Sequence, residues 1–336
     1  MTETSFPAMA EPSPAHPFVV VRDEGPGLDR LVRPVVAIGN FDGVHRGHRS
    51  VIGKAMERAR AARKPAAVLT FEPHPRSFFQ PDEPSFHLTS EAAKLRLLAA
   101  TGLDGAIVLT FDAALAGLSA EQFVERILVE RLAITGAVIG FNFYFGKARR
   151  GTPDFLVAQG AHHGFSVDVV PPFQLQDRRV SSGAVRDALA AGHVAEATAL
   201  LGYPWFVTAQ VVHGDKRGRT LGYPTANLRL GADCGLKHGI YAVRVGVGGA
   251  RYDGVASFGR RPMFDTGVTL LEIFLFDFSG DLYGAALDVA FIAWIRPEMN
   301  FDSVEDLIRR MDQDCSQARH LLARAPDAFP ALGNPG

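Results

Sequence analysis

The sequence predicts an α/β protein with two domains: a doubly wound parallel sheet, followed by a small antiparallel β-barrel with a terminal helix. Apolar runs alternate with helical patterns in the first half, closely spaced β runs take over from Trp205, and an amphipathic pattern ends the chain. The periodicity changes near Tyr203, which is the expected domain boundary. A chain of 336 residues is long enough to bury two hydrophobic cores.

Five apolar runs in the first half are predicted to be parallel strands, at 35–40, 66–71, 105–111, 136–141 and 165–170. The segments between them have helical periodicity, and two of these have N-terminal cap signals at Ser119 and Thr152. Ligands of such sheets bind at the carboxyl ends of the strands. We therefore expect three loops to share one edge: AIGNFDGVHRGH (37–48), FEPHPR (71–76) and FNFYFG (141–146).

The first of these loops has the features of a phosphate site. His45 and His48 lie at or beside a predicted helix N-terminus, where unpaired N–H groups and the helix dipole favour an anion. Gly43 and Gly47 allow the backbone to approach a ligand closely. Zinc is the weaker interpretation, because no third ligand stands at a suitable spacing. His74, between two prolines, can equally shape a turn.

A second possible anion site ends the first half, in VSSGAVRDALAAGHVAEATALLG at 180–202. Ser181 and Ser182 precede a predicted helix, and Arg186 lies within its first turns. Hydroxyls, N-terminal amides and a guanidinium suit a phosphate, although a serine pair in this place is more often only a helix cap.

The second half combines short β runs with a closing helix. The runs WFVTAQVV, GIYAVRVGV, ARYDGVASF, LLEIFLFDF and ALDVAFIAWI predict an antiparallel sheet or small barrel. The segment SVEDLIRRMDQDCSQARHLLAR predicts a helix whose inner face contains Leu307, Met311, Cys315, Ala318 and Leu322.

Two features of this half indicate chemistry. In HGDKRGRTLGYPTANL (213–228), Thr225 and Asn227 would point to the same side of a strand and could hold one metal ion with the phosphates that it bridges. Glu272 is a lone carboxylate on an aromatic strand face, which suits a general base. The simpler interpretations are a solvated basic loop and a buried glutamate paired with an arginine.

Composition excludes several classes of function. Lys and Arg number 35 against 36 Asp and Glu, so no basic field points to nucleic acid or an anionic membrane. No apolar run has transmembrane length, and residues 1–33 read as a loose leader without the order of a signal peptide. Cys234 and Cys315 are far apart and form no CxxC motif, so the sequence indicates neither a disulfide framework nor a zinc ribbon. We expect a cytoplasmic protein with a short tail at 327–336.

Together, the motifs resemble the prokaryotic bifunctional riboflavin kinase/FMN adenylyltransferase family, also called FAD synthetases, from about Val35 to about Leu322. In the first half the similar motifs are GNFDGVHRGH, LTFEPHPR, GFNFYFG and SSGAVR. In the second half they are GRTLGYPTANL, GIYAVRV, LLEIFLFDF, DLYG, IRPE and DQDCSQAR. The resemblance implies an adenylyltransferase domain at 34–203 and a kinase domain at 204–326.

The resemblance implies two consecutive reactions: ATP phosphorylates riboflavin to FMN, and a second ATP adenylylates FMN to FAD and pyrophosphate. Mg²⁺ is the implied metal, held by Thr225 and Asn227, and the implied catalytic residues are Glu272, His45 and His48. The implied flavin contacts are Asn142, Arg296, Glu298 and Arg319. The implied ATP or phosphate contacts are Gly39, Phe41, Asp42, Gly43, Gly47, Ser181, Ser182, Arg186, Gly214, Gly218, Arg219, Gly222 and Pro224.

Three positions depart from the family pattern. Gly183 replaces the threonine of SSTxxR and removes one hydroxyl from the second anion site, while Ser257 and Met263 replace an asparagine and a threonine. Two alternatives stay open: a chain in which only one half is active, most plausibly the kinase, or a non-catalytic flavin- or nucleotide-binding regulator. A tRNA synthetase would also contain an HxGH-type motif, but it would be expected to have a tRNA-binding region as well. The sequence leaves the oligomeric state open.

Overall fold

The computed structural model describes residues 17–23, 25–83, 85–213, 222–260 and 269–335. The chain folds into two units. The first comprises Met1–Glu83, Lys94–Arg179 and Ala331–Gly336, and the second comprises Pro84–Ala93 and Val180–Pro330. Within the described ranges, no helix has both the length and the apolar character needed to cross a bilayer.

The first unit is built on a six-stranded sheet in which every pairing is parallel. The strand order is β1-β4-β3-β2-β5-β6. The strands are β1 Val19–Arg22, β2 Val35–Ile38, β3 Ala66–Glu72, β4 Gly105–Thr110, β5 Gly136–Gly140 and β6 Ser166–Val170. The five predicted strands and their parallel arrangement are thus confirmed. A small antiparallel pair also belongs to this unit, β7 Gln174–Leu175 and β8 Arg178–Arg179.

Strand β1 is a feature that the sequence prediction missed. Val19 pairs with Gly105 of β4, and the side chains of Val19 and Val21 are buried in the core. The expectation of a loose leader over 1–33 is therefore wrong for residues 19–22. The run VVVR is too short for a periodicity, and its edge position becomes evident only once β4 is in place.

Two helices of the first half begin at their predicted caps, Ser119 and Thr152. The helices of this half are α1 Arg46–Ala62, α2 Pro75–Phe79, α3 Glu91–Ala99, α4 Ala113–Gly117, α5 Ala120–Gln122, which continues as a π-helix over Phe123–Arg131, and α6 Pro153–His163. Ser119 and Gln122 form the predicted capping box. Thr152 caps α6 directly before Pro153.

The second unit contains a closed antiparallel barrel in the order β10-β13-β12-β11-β14-β9. Its strands are β9 Phe206–Val212, β10 Ala226–Leu230, β11 Gly239–Val247, β12 Ala250–Arg260, β13 Thr269–Leu275 and β14 Ala286–Arg296. The closing helix α9, Val304–Arg324, contacts β11, β12 and β14 and buries Ala318 and Leu322. The predicted barrel and terminal helix are confirmed.

Two further helices, α7 Ser182–Ala191 and α8 Val194–Leu201, belong to the unit of the barrel, and α8 contacts β14. The border between the compact units accordingly follows Arg179, upstream of the change in periodicity near Tyr203. The division of the two catalytic domains at Tyr203 stays a prediction, since compactness and catalytic competence are different properties.

Candidate active sites

The loops expected to share an edge do leave neighbouring strands. Strand β2 lies between β3 and β5, and all three are parallel, so their carboxyl ends meet on one side of the sheet. The chain order along the sheet reverses at β2 and β5, and ligands of doubly wound sheets bind at such a point. The loop 39–45 begins directly after β2 and leads into α1.

Both histidines of this loop are at the start of α1. His45 is the N-cap, and its Nδ1 accepts a hydrogen bond from the His48 backbone N–H at 3.1 Å. Because Nδ1 is the acceptor, a neutral His45 has its proton on Nε2. The two rings stack with centroids 3.6 Å apart, and Phe41 contacts the His48 ring edge-on at 5.3 Å. The predicted placement at the helix N-terminus is confirmed.

The environment of His48 favours its neutral form. Burial lowers the pKa of His48 well below its usual value, and the neighbouring His45 and Lys94 lower it further. Among the described residues, no group forms a hydrogen bond with the buried His48 Nδ1. A buried polar atom is rarely left without a partner, so a ligand that supplies one fits this position.

We expect His48 to stay neutral at pH values near 6.5, where an ordinary histidine titrates. The folded protein then binds fewer protons than the unfolded chain as the pH falls below this value, so His48 makes folding less favourable in mild acid. Histidine NMR during a pH titration measures its protonation directly. Bound nucleotide should raise the pKa of His48, because phosphate favours the cation. A ligand-free His48 signal that titrates near 6.5 would contradict this environment.

The backbone of the loop is held in an unusual conformation. Phe41, Gly43 and Val44 have φ values of 52°, 78° and 36°, and the side chains of Phe41 and Val44 are buried. Left-handed conformations are costly for residues other than glycine and persist only where the surroundings impose them. Asp42 is also buried. Gly39 has room for a Cβ, since the nearest atom of the Phe41 ring would lie at 3.4 Å.

The other two loops of this edge are more exposed. His74 caps α2, with its Nδ1 accepting from the Arg76 N–H at 3.1 Å, so the turn-shaping interpretation holds for it. Asn142 is exposed just after β5. Two arginines of this region were not among the predicted site residues: the guanidinium carbon of Arg179 lies 4.5 Å from the Phe141 ring centroid, and that of Arg149 lies 5.2 Å from the Tyr144 ring centroid. The only signal in the sequence that could have indicated these two arginines is that basic residues occur close to aromatic ones.

The second predicted anion site is a capped helix start. Ser181 caps α7 by accepting from the Ala184 N–H at 3.2 Å, with Ser182 as the first residue of the helix and Arg186 one turn further on. These residues belong to the second unit, whereas His45 and His48 belong to the first. A Cβ at Gly183 would meet only the Ser181 Oγ, at 3.7 Å, so packing does not require glycine there.

In the second unit, one row across the barrel aligns the predicted kinase residues. Asn227 of β10 lies opposite Glu272 of β13, which lies opposite Ser257 of β12. Ser257 lies opposite Ile240 of β11, which pairs with Arg296 of β14. Residues directly opposite one another in antiparallel strands point to the same face of the sheet. Strand pairing therefore brings together residues that are far apart in sequence.

A cavity of about 330 Å³ lies against this row. Glu272, Phe274 and Ser257 line it from the barrel, while Leu307, Met311 and Cys315 line it from α9. The Tyr223 hydroxyl donates a hydrogen bond to Asp312 of α9, which raises the pKa of Tyr223 to about 12. This contact links Tyr223, two residues before Thr225, to helix α9. An apolar cavity with few polar groups is typical of a small-molecule site.

A second cavity, of about 380 Å³, shares Thr225 with the first. Pro224, Gly280 and Tyr283 also line it, and the rings of His213 and Tyr283 lie 4.1 Å apart. Two ligands in these cavities would meet at Thr225, which is the arrangement needed for direct transfer of a group between them.

Two of the predicted flavin contacts of this unit, Arg296 and Glu298, line the first cavity. The guanidinium of Arg296 is paired with the buried Asp314 of α9 at 2.5–3.1 Å. Burial raises the pKa of Glu298, His238 opposes the rise, and Glu272 adds to it.

The contact between Arg319 and the flavin stays a prediction. Among the described residues, Arg319 is not one of those that line the two cavities of about 330 and 380 Å³. Its exposed guanidinium pairs with Asp277 at 2.9 Å and stacks on Phe276, with the guanidinium carbon 4.1 Å from the ring centroid.

Three of the implied ATP or phosphate contacts lie outside the described residues, namely Gly214, Gly218 and Arg219. Met263 also lies outside them. Gly222 is described and has a φ of 84°, a conformation that glycine adopts without strain. It leads through Pro224 to Thr225 and strand β10.

Family models match both halves of the chain. Residues 29–184 match "FAD synthetase", and residues 201–322 match "Riboflavin kinase". Among solved structures, the chain is similar to one titled "Crystal Structure of Macrolide-efflux Protein from Streptococcus pneumoniae", at 30% identity. This match covers 90% of this chain and 99% of that one with a TM-score of 0.79, so the two share their fold.

Curated relatives extend the match over most of the chain. The chain is 41% identical to the bifunctional riboflavin kinase/FMN adenylyltransferase of Pseudomonas fluorescens, over 86% of this chain and 93% of the relative. It is 40% identical to that of Escherichia coli (strain K12), over 86% and 92%. Against that of Bacillus subtilis (strain 168), identity is 35% over 90% and 95%. The chain therefore belongs to the bifunctional riboflavin kinase/FMN adenylyltransferase family.

Proposed function

We propose that each unit contains the catalytic groups of one step, with riboflavin phosphorylated on the barrel and FMN adenylylated at the loop 39–45. The observation that carries this proposal is the sharing of Thr225 by two cavities beside the row that contains Glu272. The substrates and products are riboflavin, FMN, FAD and ATP, in agreement with the family. Neither the single-activity nor the regulatory alternative has support from the comparisons.

In the first step, riboflavin occupies the cavity between the barrel and α9, and ATP occupies the neighbouring cavity. The 5′-hydroxyl oxygen attacks the γ-phosphorus of ATP, the bond to the bridging oxygen breaks, and ADP leaves. Glu272 takes the hydroxyl proton as the new O–P bond forms. Phe274 and Met311 supply apolar contacts for the flavin ring, and Arg296 fixes one wall of the cavity through Asp314.

Thr225 and Asn227 suit a divalent cation, for which we propose Mg²⁺. The Asn227 Oδ1 is buried and has no hydrogen-bond partner among the described residues, while its Nδ2 donates to the Thr225 carbonyl at 3.3 Å. An amide oxygen and a hydroxyl are hard oxygen ligands, and Mg²⁺ usually combines few protein ligands with substrate phosphates. When bound, the ion neutralises charge on the transferring phosphoryl group.

In the second step, a phosphate oxygen of FMN attacks the α-phosphorus of ATP, and pyrophosphate leaves. The nucleophile is already an anion, so the main requirements are in-line positioning and stabilisation of developing charge. His45 and His48 donate to the transferring phosphate from the start of α1. Asn142 contacts the flavin nucleotide. Both cysteines are free thiols, in keeping with the cytoplasmic location that we propose.

Asn227→Leu tests the proposed kinase site because it removes the amide oxygen at nearly constant volume. We expect riboflavin phosphorylation to fall by at least about 10²-fold, since a phosphate-bridging cation contributes several kcal/mol. Adenylylation of added FMN should be unchanged. Asn227→Asp keeps an oxygen and should retain activity at a shifted Mg²⁺ requirement. Normal phosphorylation by Asn227→Leu across a Mg²⁺ titration would exclude this ligand.

A further inference from the structure

Lys94 of α3 is a buried cation that none of the predicted roles explains. Its side chain is 5% exposed, and its Nζ lies 2.5 Å from the Glu72 Oε1 at the end of β3. The same Nζ lies 3.4 Å from the Asn40 carbonyl oxygen and 3.4 Å from the Thr70 Oγ1. All four residues belong to the first unit.

Stability alone is a weak explanation for this pair. Burying the charge of Lys94 costs several kcal/mol, and apolar replacements of buried ion pairs are often neutral or stabilising, while the Glu72 side chain stays 24% exposed. The exposed pair of Lys54 and Glu57 in the same unit, with Nζ and Oε1 2.8 Å apart, shows that an ion pair of this unit can stay at the surface. Lys94 differs from Lys54 in its position, because it lies beside the Asn40 carbonyl.

The Asn40 carbonyl is the point at which the loop 39–45 leaves β2. It accepts from the Thr70 Oγ1 at 3.3 Å as well as facing Lys94. At the other end of the loop, the Arg49 Nε donates to the Val44 carbonyl at 3.2 Å. The left-handed residues lie between these two contacts, so side chains outside the loop fasten both ends of its strained part.

We propose that Lys94 and Glu72 are a positioning pair for adenylyl transfer: Lys94 fixes the loop at the Asn40 carbonyl, and Glu72 holds Lys94 in place. This inference rests on the proposed role of the loop 39–45. The pair acts through the loop, which presents His45 and His48 to the phosphate. Loss of the contact releases the loop without removing any group that touches the substrate.

The variant Lys94→Met combined with Glu72→Leu tests this role, because it removes both charges and leaves neither one buried alone. We expect kcat for FAD formation from added FMN to fall by about 10- to 100-fold, as misplacement of reacting groups by about 1 Å does. Riboflavin phosphorylation by the same sample should be unchanged. The backbone amides of 39–45 should exchange hydrogen faster, while those of β3 and β4 keep their protection.

Controls separate positioning from folding. Lys54→Met removes the cation of the exposed pair in the same unit and should leave both reactions unchanged. If the double variant is destabilised, Thr70→Val, which weakens the Asn40 contact and leaves both charges, should still lower kcat several-fold at an unchanged melting temperature. Wild-type kcat and wild-type loop exchange in a folded double variant would overturn the proposal, as would wild-type kcat in Thr70→Val.

The outcome is distinguishable from a failure of the proposed function. If His48→Ala still forms FAD at the wild-type rate, the assignment of the loop is wrong whatever the Lys94 variants do. If His48→Ala is inactive in the second step while the Lys94/Glu72 double variant is fully active, only the positioning role fails.

Discussion

Glu272→Gln should abolish most FMN formation from riboflavin while leaving the conversion of added FMN to FAD intact. Glutamine has almost the same volume, so the cavity beside α9 is preserved and only the proton acceptor is lost. General-base catalysis contributes typically about 10²- to 10⁴-fold, and we expect a decrease of this size in kcat. Chromatography of the flavins after incubation with riboflavin, ATP and Mg²⁺ measures it.

The matched control for this variant is Glu305→Gln, which changes an exposed glutamate in the first turn of α9. It should phosphorylate riboflavin at the wild-type rate. Normal phosphorylation by Glu272→Gln would show that another group takes the proton, and Glu298, which lines the same cavity, would be the next residue to examine.

His48→Ala should stop the reaction at FMN. The His48 ring is stacked on His45 at the start of α1 and has a buried nitrogen without a hydrogen-bond partner among the described residues. A neutral imidazole can donate one hydrogen bond to a phosphoryl oxygen, and loss of one such donor costs about 10²–10³ in rate. The measurement is FAD and pyrophosphate formation from added FMN and ATP.

His162→Ala is the control for this experiment, because His162 is an exposed histidine near the end of α6 in the same unit. It should form FAD normally. Riboflavin phosphorylation should be unaffected in both histidine variants. FAD production at the wild-type rate by His48→Ala would remove His48 from the phosphate site.

Much of this architecture is encoded in local patterns. The five predicted strands of the first unit are short apolar runs, and the starts of α1 and α6 follow from His45 and Thr152 as N-caps. These signals depend on neighbours within a few residues, so the sequence alone is sufficient to predict them. Strand β1 was missed because its stability comes from pairing with β4, some 85 residues further along the chain in their first register pair, Val19 and Gly105.

The residues of the candidate sites could be predicted from sequence, but their contacts with one another could not. Glu272 and Asn227 could be selected from sequence, but their direct opposition depends on the register of β10 and β13. The pairing of Arg296 with Asp314 and of Arg319 with Asp277 depends on how α9 lies on the barrel. Lys94 gave no signal, because a lysine within a helical pattern usually reads as a solvated residue, and only the fold buries it beside Asn40.

The central claim is that one chain contains two catalytic sites that work independently, and mixing the two principal variants tests it most directly. Glu272→Gln alone should leave riboflavin unconverted, and His48→Ala alone should accumulate FMN. Combined with riboflavin, ATP and Mg²⁺, they should yield FAD and pyrophosphate, because FMN released by one chain is adenylylated by the other. If folded Glu272→Gln also fails to adenylylate added FMN, or folded His48→Ala also fails to phosphorylate riboflavin, the assignment of one site to each unit is contradicted.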